Sequence, residues 1–154
     1  MLTMSRNEAV PLETMQEGMP WDWETYPEFL DSLEKTPKGV NILSYLPLNP
    51  LMMYVMGLDA AKTRPATAKE LAKMQDLMRE GMAAGGCGFS AQLGGENDAQ
   101  RDYDGTSMIT NTMSEDDLMA FCEVLKEEGR GFIQCIGSDQ TLTEKLAERS
   151  GRPV

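Results

Sequence analysis

Three times the chain repeats one pattern: an amphipathic helix opened by a capping residue, a glycine, then a short apolar run that ends polar. The apolar runs cover 40–46 (VNILSYL), 87–93 (CGFSAQL) and 131–137 (GFIQCIG), with starts 47 and 44 residues apart. Continuous apolar runs separated by helices mark parallel strands, which need a long crossover to reach their neighbours. The pattern predicts an α/β fold with three parallel strands and intervening helices. It also predicts where chemistry belongs, in the loops after the strands' C-terminal ends.

The punctuation sets the helices. Residues 1–20 lack periodicity and carry Pro11, Gly18 and Pro20, which predicts an irregular lead-in. Thr25-x-x-Glu28 has capping-box spacing, with Pro27 in the first turn. Pro47 and Pro50 break the first strand, and 51–56 suits one or two helical turns before Gly57. A linker is expected over 59–66. Thr67-x-x-Glu70 opens the next helix, where Leu71, Met74, Leu77, Met78 and Met82 share one face as core packing. Ser114-x-x-Asp117 starts a third helix and Thr141-x-x-Glu144 a fourth. By this rhythm another strand begins at 153–154, so the piece reads as cut in mid-cycle.

Composition narrows the function. A net charge of −11, from 14 Lys+Arg against 25 Asp+Glu, argues against nucleic acid and anionic membranes as partners. No apolar run approaches the roughly 20 residues that span a bilayer. The start, MLTMSRNEAV, lacks the layout of an export signal. Three cysteines without a CxxC support neither a disulfide framework nor a zinc knuckle. The expected setting is cytoplasmic. Histidine is absent, which removes the commonest metal ligand and general base. No catalytic and no metal-ligating residue is assigned within this chain.

The longest loop, 94–113, leaves the C-terminal end of the second strand. Loops this long are usually functional or disordered. Arg101, Asp102, Tyr103 and Asp104 are candidate contacts for a polar substrate; the alternative is a solvated excursion with an Asp104-Gly105 turn.

Several blocks carry a resemblance. GMPWDWETYPEFLDSLEKTP, VNILSYLPLNPLMMYVMG, PATAKELAKMQDLMREGMAAGGCGFS, SEDDLMAFCEVLKEEGRGFIQ and the final SGRPV resemble the amidohydrolases (family 3) that include the N-acyl-D-amino-acid deacylases, or D-aminoacylases. The most telling run is Trp21-Asp22-Trp23-Glu24-Thr25-Tyr26-Pro27. The resemblance implies a (β/α)₈ TIM barrel, of which this chain supplies about strands three to five. It would be a fragment of one barrel domain, with the rest of that barrel as its partner. It implies hydrolysis of a non-peptide C–N bond in a small-molecule amide. A bound zinc would lower the pKa of its water and polarise the carbonyl. The zinc ligands and the proton-transferring aspartate would lie outside these residues.

The sequence departs from the family at two places. Relatives often carry a Pro-His pair where Pro47-Leu48-Asn49 stands, and the deacylases a ligand histidine where Gln134-Cys135-Ile136-Gly137 stands. Cys135 is then either a thiolate ligand or, more simply, strand packing. Alternation along the strands nominates Ser44, Asn49, Ser90, Gln92 and Gln134 as substrate-positioning residues; a hydrogen bond to a neighbouring loop or barrel layer is the alternative for each. Two other readings stay open. One is a metal-free descendant that binds a small ligand or partner, and the other a complete small three-layer α/β domain.

Overall fold

The computed structural model describes residues 1–154, apart from the side chain of Thr112. In chain order it forms α1 (Leu2–Glu8), α2 (Leu12–Gly18), α3 (Tyr26–Lys35), β1 (Leu46–Pro47), α4 (Leu48–Met56), α5 (Leu58–Thr63), α6 (Ala68–Ala83) and β2 (Gly88–Gln92). A 3₁₀ turn (Ile109–Thr112), α7 (Glu115–Glu128), β3 (Phe132–Ile136) and α8 (Gln140–Ser150) complete it. The strands form one parallel sheet in the order β1-β2-β3. The expected α/β class and parallel pairing are therefore present.

The caps work as their spacing predicts in three helices. Thr25 and Glu28 form a reciprocal capping box on α3, as do Thr67 and Glu70 on α6. Ser114 accepts from the Asp117 N–H at the start of α7. In α8 the cap is Asp139, whose side chain accepts from the Leu142 N–H; Thr141 lies inside the helix. Asp competes well for an N-cap, so the earlier acidic residue takes the position.

Four expectations need correction. Residues 1–20 are not irregular but hold α1 and α2, neither with a side-chain cap. The linker over 59–66 contains α5, with Ala61 buried. The helix expected over 51–56 begins at Leu48. The first strand is two residues long, not 40–46. Register explains the last point. Leu46 pairs with Phe89, so Val40 would have to pair with Ala83, which ends α6. Residues 40–43 thus have no ladder to join, and Val40 and Leu43 are 73% and 72% exposed. Pro47, which lacks an N–H for a ladder, ends the strand and stands at the N-cap of α4.

The core lies on one face of the sheet. Phe89, Ala91 and Ile133 are buried there against Met74, Met78 and Met82 of α6 and Phe121 and Leu125 of α7. Met74, Met78 and Met82 are thus core packing and Leu71 packs partly buried against the cluster, whereas Leu77, expected on the same face, is half-buried outside it. Side chains alternate along a strand, so Ser90, Gln92 and Gln134 project to the opposite face, where they are half-buried. Consecutive right-handed crossovers in one direction put successive helices on the same side of a sheet. Tight strand contact needs glycine at one point: a Cβ on Gly88 would stand 1.8 Å from the Phe132 carbonyl oxygen.

Candidate functional site at the strand ends

β1 runs straight into α4, which sets Asn49 in that helix's first turn. Its Oδ1 accepts from the Ile109 N–H at 3.0 Å. β2 ends in Gln92, whose Nε2 donates to Asp98 Oδ2 at 3.0 Å. Two residues on, the Gly94 N–H donates to Asn111 Oδ1 at 2.9 Å. These bonds draw the segment 94–113 over the ends of β1 and β2. Its ends are folded onto the protein, while the tip, residues 103–106, is exposed and carries the expected turn at Asp104-Gly105. Asn111 and Thr110 are buried, and Asn111 Nδ2 and Thr110 Oγ1 have no hydrogen-bond partner among the described residues.

The cover's outer part is a turn, with the Gly105 N–H donating to the Asp102 carbonyl and Gly105 at φ +86°. Lys62 of α5 reaches into it, 2.6 Å from Asp102 Oδ2 and 2.9 Å from Asp104 Oδ2. Burial works to lower the Lys62 pKa, but hydrogen bonds to Asp102 and Asp104 outweigh it and hold it above the ordinary value. Burial likewise works to raise Asp102, yet Lys62, Thr3 and the Tyr103 N–H keep its carboxyl below the ordinary range. Asp104 is held well below that range by Thr106, then Lys62.

The nominated residues separate into groups. Ser90 and Gln134 are neighbours in register on the open face. Gln92 and Asn49 sit at the strand ends, both engaged with the cover. Ser44 lies elsewhere. Its carbonyl accepts from the Cys87 N–H at the start of the ladder, so the shortened β1 puts it at the end remote from the loops. Arg101 donates through its guanidinium to Ser107 Oγ, and the Tyr103 ring lies 5.7 Å from Lys62 Nζ. Both are tied to the cover's own turn. Sequence reasoning missed Lys62, Asp98 and Asn111; their partners lie in other elements, and only the Asp-x-Asp-Gly turn was visible.

Thiol chemistry finds little support. Burial pushes Cys122 up to about 12 and raises Cys87 as well. Cys135 Sγ lies 3.1 Å from Ser138 Oγ, itself 3.1 Å from Thr143 Oγ1. Among the described residues no three His, Cys, Asp or Glu side chains are grouped to hold a metal. A separate groove of about 770 Å³ is bordered by Tyr45, Phe132, Gln134 and Arg152. There the Ile133 N–H donates to the Pro153 carbonyl at 2.9 Å.

A parallel α/β sheet with polar side chains gathered at its strand ends defines the class. Comparison with known proteins adds a direction. The chain is similar to a D-aminoacylase of Alcaligenes xylosoxydans xylosoxydans, 36% identical over 84 residues, covering 54% of this chain and 17% of the relative. It is similar as well to uncharacterised proteins of Mycobacterium bovis and Mycobacterium tuberculosis, each 38% identical over 91 residues, covering 56% of this chain and 15% of the relative. The matched stretch thus spans about a sixth of those relatives' length. No protein-family profile matches the chain, and no solved structure does.

Proposed function

We propose that this chain forms part of the wall of a (β/α)₈ barrel in an amidohydrolase related to the D-aminoacylases. The observation that carries the reading is the 36% identity to a D-aminoacylase. The one-sided core supports it. A barrel keeps its helices outside and fills its interior from the other face of the sheet. In that arrangement Ser90 and Gln134 face the interior below the mouth, with Gln92 above them tied to Asp98 of the cover. Neutral amides and a hydroxyl donate and accept hydrogen bonds without transferring protons at neutral pH. Their role is to position a small amide substrate for hydrolysis of its C–N bond.

The residues present do not fit a zinc site. The run Pro47-Leu48-Asn49, where the resemblance implies a histidine, holds none, and the Asn49 oxygen is committed to the Ile109 N–H. Cys135 is engaged with Ser138. In this reading the zinc ligands lie on other strands of the barrel. The same two residues favour a second reading, a metal-free descendant that binds a small ligand. A cytoplasmic setting belongs to the proposal too, since Cys87, Cys122 and Cys135 are all free thiols. No described helix is long and apolar enough to cross a membrane.

The test is hydrolysis of N-acyl-D-amino acids, with the L-enantiomers alongside, by the protein expressed with its flanking coding sequence. Release of the free amino acid together with stoichiometric metal supports the hydrolase. Tight binding of such a compound, without turnover and without metal, would favour the second reading.

A further inference from the structure

A lysine ammonium carries three N–H donors. Lys62 meets three acceptors at once: Asp102 Oδ2 at 2.6 Å, Asp104 Oδ2 at 2.9 Å and Thr106 Oγ1 at 2.6 Å. All three acceptors belong to the turn at the tip of the 94–113 segment. The turn is also braced internally. Thr106 Oγ1 donates to Asp104 Oδ1 at 2.6 Å, and the Asp102 N–H donates to the Thr106 carbonyl at 2.9 Å. From the other side, the Thr3 hydroxyl of α1 donates to Asp102 Oδ1. The Asn7 amide pairs with both backbone groups of Arg101, donating to its carbonyl at 2.8 Å and accepting from its N–H at 3.2 Å. The tip is thus held by α1 and α5, while the base of the segment is held by Asn49 of α4 and Gln92 of β2.

We propose that residues 101–107 are a strap buckled by Lys62, and that unbuckling it frees the tip of the 94–113 cover, whose base stays tied near the ends of β1 and β2. Its significance rests on the reading of those ends as the functional face; its geometry does not. The lever is charge. The Asp102 side chain is 4% exposed, so without the Lys62 ammonium a carboxylate stays buried with no counter-charge. An uncompensated buried charge strongly disfavours the conformation that buries it. The closed tip is then lost while the sheet, held by its own core, remains.

Hydrogen exchange on the intact chain tests this by comparing Lys62→Met with the parent. The amides of Asp102, Tyr103, Gly105 and Thr106 report on the strap, because each donates within the turn. Their exchange is expected to speed by about tenfold or more while β2 and β3 keep their protection, the signature of local opening. Trypsin cleavage after Arg101 accelerates in parallel. Unchanged exchange at those four amides overturns the proposal. Should Lys62→Met lose protection throughout, Thr106→Val decides, since it removes one acceptor and keeps every charge. A local rise in that variant supports the strap, and no rise overturns it. The readout is exchange and not hydrolysis, so this proposal and the hydrolase reading fail separately.

Discussion

A Cβ on Gly88 would lie 1.8 Å from the Phe132 carbonyl oxygen, at a φ of +131° that L side chains rarely adopt. Gly88→Ala should therefore cost about 2–4 kcal/mol through backbone strain and displacement of β3. Gly39→Ala, with nothing within 4 Å of its Cβ, should stay within about 0.5 kcal/mol. Urea denaturation of the two variants checks the contrast. The aspartates of the strap give a pH prediction. Both titrate lower in the folded chain than their ordinary 3.8, so their stabilisation is complete above that value and fades as pH falls through the lowered ones. Lys62 titrates above its ordinary 10.5, so its share is complete below that value and is lost as pH rises through the raised one. Exchange at Tyr103 and Thr106, corrected for intrinsic rate, should accelerate relative to β2 only below the ordinary aspartate range and in strong alkali. At this scale the sequence showed which polar side chains interrupt apolar strands. It did not show that Asn49 is spoken for by Ile109, sixty residues away.

Among the elements, α6 carries both the clearest sequence signal and the most consequence. Its capping box satisfies N–H groups that would otherwise be orphaned, and Arg64 pairs with the same Glu70 at 2.7 Å. Thr67→Ala should cost about 1 kcal/mol. Met78, fully buried beneath the sheet, should cost about 3 kcal/mol as Met78→Ala. Both are read as shifts in the denaturation midpoint at constant slope. The boxes of α3 and α6 were legible because their partners lie three residues apart. α1 was not, because it is seven residues long, uncapped and anchored by Asp102 and Arg101. The short β1 was illegible for a different reason. An apolar run says that a segment would accept burial, not that a neighbouring strand is there to pair with it.

At the scale of the molecule, the parallel direction followed from three apolar runs and the helices between them, whereas the order β1-β2-β3 is read from the structure. The position of the cover did not, since it depends on pairs such as Asn7–Arg101 that no local pattern encodes. What the whole amounts to is a parallel sheet with its core on one face and Ser90, Gln92 and Gln134 on the other. A doubly wound protein would cover that second face with helices, whereas a barrel turns it inward. The most direct test is a crystal structure of the protein with its flanking coding sequence. The barrel reading predicts further parallel strands beside β1 and β3, closing with Ser90 and Gln134 inside. A second helical layer packed on Ser90 and Gln134 would contradict it.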